Sequence, residues 1–374
     1  MTIADQAPGF LSLGQATPQT IARRAAARGT GQRTLLVQGP AGSGKGAFVD
    51  DLLALLFCTE ADRAGRPCNA CRGCRDARAR THPDLLIGGP DRWRELRSST
   101  ESQVAAARAW LLDSAGAPLH AERRVVLVDG ADRASEQVQN VLLKALEEPG
   151  ERQMFVLVAD DPARLLPTIR SRCQPLRIGP VPRADLAAWL VDVERVPADQ
   201  ADSLARLSDG LIGTAVRFLR QPDLLAWRRR TQAELLGLLE RGRADRFVAA
   251  RELLDHAVRL VLASPPDPEP AGDPDEAVRT PSSQLRDAAL LVVEAWTELS
   301  RDLLVAALGR PELARSADLH DDLDAVARRC SPAELRAMLD LLERIAEGLR
   351  QSAAPRLALE RAMLTWPRLT ATAR

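Results

Sequence analysis

A chain of 374 residues is long enough for two or three domains, and its 45% apolar content is ample for ordinary cores. With 51 basic against 51 acidic residues the net charge is zero, which excludes a global field that draws the chain onto nucleic acid. No run approaches the roughly 18 apolar residues of a membrane span, and the opening MTIADQAPGF has no signal-peptide pattern, so a cytoplasmic protein is expected.

Residues 33–38 (RTLLVQ) read as a short buried strand. A glycine loop, GPAGSGKG, follows, and then a helix with Phe48, Leu52, Leu55 and Leu56 at helical spacing. The loop meets G-x-x-x-x-G-K-[ST] at Gly39, Gly44 and Lys45 and fails at the last place, where Gly46 stands instead of Ser or Thr. Such glycines, Gly42 among them, let backbone N–H groups close around phosphate oxygens at a helix N-terminus, and the lysine neutralises the outer phosphates. The missing hydroxyl is the one that would hold magnesium. Lysine is scarce here: of the 51 basic residues only Lys45 and Lys144 are lysines, a hint that a compact ammonium is wanted at each.

Next come four cysteines, Cys58, Cys68, Cys71 and Cys74, spaced C-x9-C-x2-C-x2-C. Two tight C-x-x-C steps in a long chain without a signal pattern suit tetrahedral zinc in a structural site. An iron–sulfur cluster or four unrelated thiols are the alternatives. Arg63, Arg66, Arg72 and Arg75 nearby are expected to offset the thiolate charge, and Cys173 and Cys330 are expected to be ordinary buried thiols.

HPDLLIG (82–88) supplies a second strand, 101–115 a helix, and RRVVLVDG (123–130) a third strand ending in Asp129. Asp129 occupies the place of the second nucleotide motif, but Gly130 follows where a water-orienting Glu is usual. No base is left unless Asp132 bends back. Loss of both the magnesium hydroxyl and the base lowers phosphoryl transfer by several orders of magnitude. Residues 135–148 form the cleanest helix, with Val138, Val141, Leu142, Ala145 and Leu146 on one face and Pro149-Gly150 as its stop. MFVLVA (154–159) and LRI (176–178) complete five strands, and alternating strands and helices imply a mostly parallel sheet covered on both faces. Arg170 and Arg172 stand near the end of this region, solvated or reaching a neighbouring subunit's nucleotide. Beyond Pro182 the strands cease. Short helices fill 183–222 around a turn at Asp209-Gly210, and the remainder is helical except for 264–283, whose six prolines point to a disordered loop.

GPAGSGKG, the Cys58–Cys74 insertion, HPDL, NVLLKALEEP (140–149) and Ser171-Arg172-Cys173, in that order over residues 15–225, resemble the clamp-loader subunits of bacterial DNA polymerase III. The resemblance implies an α/β AAA+ P-loop domain over 1–180 with a zinc module at 58–74, a helical lid over 181–222 and an all-α collar over 223–374. It also implies zinc on the four cysteines and Arg172 as an arginine finger acting in trans. Three departures, at Gly46, at Gly130 and in GLIGTAV (210–216, where a motor subunit carries a sensing arginine near Gly213), point away from the ATP-hydrolysing gamma/tau motors. They point toward the delta-prime branch, which holds ATP or ADP without hydrolysis, if at all. Implied partners are the gamma/tau and delta subunits, the sliding clamp, and primed DNA reached through the assembled complex. A gamma/tau-type motor, a self-contained P-loop ATPase or kinase, and a stand-alone zinc-dependent nucleic-acid-binding protein are the rival readings.

Overall fold

The computed structural model describes residues 9–27, 33–90, 92–93, 100–263, 281–316, 320–350 and 353–369. They form two compact units, Met1–Ala215 and Val216–Arg374. The proline-rich stretch expected to be a disordered loop lies outside the described residues, apart from 281–283, which open a helix.

The first unit is built on a five-stranded sheet: β1 (Thr34–Gln38), β2 (Leu85–Gly88), β3 (Arg124–Val128), β4 (Gln153–Ala159) and β5 (Gln174–Arg177), in the order β2-β3-β4-β1-β5. Each neighbouring pair is parallel, with Gln38 beside Ala159 and Val128 beside Leu157. A parallel sheet is covered on both faces, so its strands read as apolar runs, and successive side chains go to opposite sides. Leu35, Val37, Val125, Leu127, Met154, Val156 and Leu176 pack with α1 (Ala16–Ala27) and α2 (Lys45–Phe57). Leu36, Val126, Val128, Phe155 and Leu157 face α4 (Thr100–Ser114), α5 (Glu136–Glu147) and α6 (Pro167–Arg172) instead. The expected strands and helices all form. Helix α1 and the short α3 (Arg72–Arg78) are additions that the sequence pattern did not announce.

The HPDL motif has a structural task. The His82 ring stacks on Phe57 at 3.9 Å, and its Nδ1 accepts from the Asp84 amide at 3.1 Å. Buried Asp84 in turn accepts the N–H groups of Leu119, His120 and Ala121, which ties the α4–β3 loop to the edge of the sheet. Three further helices, α7 (Arg183–Asp192), α8 (Ala198–Leu207) and α9 (Ile212–Arg220), follow the sheet, with the expected turn at Asp209-Gly210 between the last two.

The second unit is helical: α10 (Pro222–Gly237), α11 (Arg243–Ala263), α12 (Pro281–Ala307), α13 (His320–Ala327), α14 (Pro332–Arg350) and α15 (Pro355–Thr365). Trp296 and Trp366 meet edge to face at 5.3 Å in its core. Buried Arg246 donates to the carbonyls of Leu238 and Pro367, which fastens the chain after α15. Among the described residues no helix is long and apolar enough to cross a membrane.

Candidate functional site

The loop Gly39–Gly46 joins β1 to α2 at the carboxyl edge of the sheet, where open α/β sheets hold their ligands. Gly42 and Gly44 adopt φ values of 78° and 90°, left-handed conformations that side chains resist. The loop edges a cavity of about 350 Å³ whose charged walls are Lys45, Arg80, Asp129, Arg133 and Asp160. Of the nucleotide residues expected from sequence, Gly42, Gly44, Lys45, Gly46 and Asp129 line this cavity. Gly39 stands at its root, where an added Cβ would lie 2.0 Å from the Ile178 carbonyl oxygen.

Lys45 is buried, and its ammonium is fully engaged inside the chain. Nζ donates to the Gly39 and Pro40 carbonyls at 2.8 and 2.9 Å and pairs with Asp160 Oδ1 at 2.6 Å. Asp160 follows β4, the strand between β1 and β3, so the strand order delivers its carboxylate to the space between Lys45 and Asp129. A Cβ at Gly46 would meet nothing within 4 Å. The absent hydroxyl is therefore a difference of chemistry, not of space.

The side where a base would stand is occupied by a cation. Gly130 has φ 62°, and a Cβ there would lie 2.2 Å from Arg133 Nη2. Asp132 does not bend back into the cavity. Its buried Oδ2 accepts the Asp160 and Asp161 amides at 3.2 and 2.9 Å, and burial pushes its carboxyl pKa up. The glycine at position 213 has an equally physical role. Gly213 N donates to Gly42 O at 2.8 Å, and a Cβ at Gly213 would stand 3.0 Å from that oxygen. Any side chain at 213 would press on the phosphate loop.

The four cysteines converge. Their sulfurs lie within 4.8 Å of one another, with Cys68–Cys74 and Cys58–Cys71 each at 4.0 Å. A tetrahedral zinc with bonds of about 2.3 Å sets sulfurs roughly 3.8 Å apart, so the residues fit this metal. Amide N–H groups of Cys68, Cys71 and Cys74 point at the sulfurs of Cys58, Cys68 and Cys71, at 3.3 to 3.4 Å. Burial opposes the Cys71 thiolate, but donors from Thr59 and Cys74 together hold its pKa at about 6; burial pushes Cys58 and Cys74 up. Around the cluster, Arg63, Arg66 and Arg75 donate to backbone carbonyls and Arg72 pairs with Asp76. The module is anchored by Asp51, fully buried, which accepts the Leu11 and Ser12 amides and pairs with Arg78 of α3 at 2.7 Å. Cys173 and Cys330 are buried apart from the cluster, as expected.

Arg172 closes α6, exposed, with Nη2 2.8 Å from Glu147 Oε1 and Nη1 on the Thr168 carbonyl; Arg170 is exposed two residues earlier. The site residues that sequence reasoning missed are Asp160, Arg80 and Arg133. Only Asp160 carried a signal, as a carboxylate at the end of an apolar strand.

A profile of the family described as "DNA polymerase III, delta subunit" matches residues 14–182. DNA polymerase III subunit delta' of Haemophilus influenzae is 31% identical over 228 residues, which cover 58% of this chain and 67% of that protein. The Escherichia coli subunit delta' is 32% identical over 194 residues, 50% of this chain and 54% of that one. DNA polymerase III subunit gamma/tau of Mycobacterium bovis is 28% identical over 351 residues, 87% of this chain and 55% of that one.

Proposed function

Because this chain belongs to the DNA polymerase III delta-prime subunit family, we propose that it is a non-hydrolysing subunit of the bacterial clamp loader, acting in the cytoplasm. In that role it joins gamma/tau motor subunits and a delta subunit to place the sliding clamp on primed DNA. One observation carries the reading. The phosphate pocket keeps its glycine loop and Lys45, yet Gly46 has no hydroxyl for magnesium and Arg133 covers Gly130 where a base would project. Positioning and charge neutralisation dominate phosphoryl-transfer catalysis, so both losses together leave a pocket suited to holding a phosphate chain rather than cutting it.

Cys58, Cys68, Cys71 and Cys74 would hold a structural zinc, which supplies folding free energy to the module. Arg172 supports a role in trans. It is exposed on the sheet unit, its partner Glu147 is equally exposed, and a guanidinium presents two donors to a phosphate. The helices over 181–222 serve as the lid, and residues 223–374 as the collar that meets the other subunits.

The test is reconstitution with gamma/tau and delta subunits, followed by clamp loading and by ATP turnover of the chain alone. The expected result is loading that depends on this chain, with no turnover by the chain itself. Robust Lys45-dependent hydrolysis by the isolated chain would move it to the motor branch, and a complex that loads equally well without it would refute the role.

A further inference from the structure

Two arginines, Arg80 and Arg133, stand in the wall of the cavity beside the glycine loop. Arg80 comes from the segment just beyond the cysteine module, and Arg133 from the short 3-10 turn after Asp129. Arg80 Nε donates to Asp50 Oδ1 at 3.0 Å, which fixes the guanidinium at the cavity wall with its side chain 15% exposed. No protein group takes its two terminal nitrogens among the described residues. Arg133 fills the space above Gly130. With Lys45 the cavity wall holds three cations against the carboxylates of Asp129 and Asp160, beside the amide N–H groups of a glycine loop.

These residues fit a phosphate chain, and one of the two carboxylates that could reach a metal, Asp160, is already paired with Lys45. Magnesium demands near-octahedral oxygen ligands, and the loop has lost the hydroxyl that supplies one. A guanidinium offers planar, permanently charged donors matched to phosphate. We propose that this pocket takes the phosphate chain of a nucleotide without a divalent cation, Arg80 and Arg133 supplying the positive charge that magnesium supplies in hydrolysing relatives. The inference rests on the reading of the pocket as a non-hydrolysing nucleotide site, and it assigns the ligand's charge state and the residues that meet it.

The full chain is titrated with ATP, ADP and tripolyphosphate by calorimetry, once with magnesium and once with EDTA. Affinity for ATP and ADP is expected to change less than about threefold on removing magnesium. Arg80→Gln and Arg133→Gln are each expected to weaken binding about tenfold or more, the scale of one lost charge-assisted hydrogen bond. Gln keeps a side chain with the same backbone demands, so unchanged circular dichroism and thermal midpoint separate lost binding from lost folding. Tripolyphosphate is expected to compete with ATP. Binding that falls more than tenfold in EDTA, arginine variants that bind like the wild type, ATP that tripolyphosphate cannot displace, or no binding of any probe at millimolar concentration would each overturn the proposal. Magnesium-dependent binding without turnover overturns this inference alone, whereas turnover overturns the non-hydrolysing reading itself.

Discussion

Lys45 and Asp160 form an unequal pair: the ammonium is 9% exposed and held by two loop carbonyls, while the carboxylate 2.6 Å away is 54% exposed. The lysine is fixed in the loop, but the aspartate can turn into solvent at little expense, since pairs with an exposed partner contribute about 0–1 kcal/mol. Asp160 therefore competes with any incoming phosphate for the same cation. Asp160→Asn is expected to tighten ADP binding roughly threefold to tenfold and to shift stability by less than about 1 kcal/mol. Calorimetric titration of both proteins decides it; weaker binding by the variant would show that Asp160 orients Lys45 rather than opposing the ligand.

Gly46 has open space around it, near the start of an α-helix. Gly46→Thr should fold and gain a few tenths of a kcal/mol, because Gly is a poorer helix former than Thr. It should also make nucleotide binding respond to magnesium. ATP turnover should stay at background, since Arg133 still covers Gly130 and Asp132 is still bonded to the 160–161 backbone. A phosphate-release assay checks this, and turnover well above the wild type would reveal a base.

Metal analysis should find about one zinc per chain. Cys71→Ser, or exhaustive chelation, should lower the thermal midpoint by more than about 4 °C, the shift for losing about 2 kcal/mol in a unit of this size. Hydrogen exchange should rise first over 58–78 and then at Leu11 and Ser12, because Asp51 links both segments through Arg78. A visible iron band, or exchange unchanged in the metal-free chain, would contradict the zinc assignment.

Arg172→Ala removes one exposed side chain and its exposed pair with Glu147, so folding should change by less than about 1 kcal/mol. In the reconstituted loader, DNA-stimulated turnover should fall at one motor site by roughly 10³ to 10⁵, the range of arginine fingers. Arg172→Lys should be nearly as poor, while Glu147→Gln should leave turnover intact. Normal turnover with Arg172→Ala, or loss with Arg170→Ala in its place, would shift the assignment.

Asp84 gives a pH prediction. Burial works against its charge, but the N–H groups of Leu119, His120 and Ala121 hold its folded pKa below the ordinary carboxylate range. A depressed folded pKa contributes stability that is present above the unfolded pKa of about 3.9 and lost as pH falls through the folded value. Asp84→Asn should thus cost about 1–3 kcal/mol at pH 7, with the gap to wild type narrowing below about pH 4. Urea titrations at pH 7 and pH 3 measure both gaps, and a constant difference would show that the carboxylate charge plays no part.

The sheet unit was legible because its information is local. Buried parallel strands read as apolar runs, α5 shows its face by period, and the loss of the Gly46 hydroxyl is a single letter. The cysteine spacing already pointed to the convergence of the four sulfurs. Helix α1 goes unannounced because Ile21 is its only large apolar side chain, and α3 because seven residues hold too few turns to show a period. Only the tertiary structure decided what surrounds the phosphate loop. Asp160 meets Lys45 because β4 is inserted between β1 and β3; Arg80 arrives past the cysteine module; Gly213, bonded to the Gly42 carbonyl, lies 171 residues from it along the chain. Such encounters depend on strand order and on how closely backbones approach, and neither leaves a periodic trace in the residues themselves.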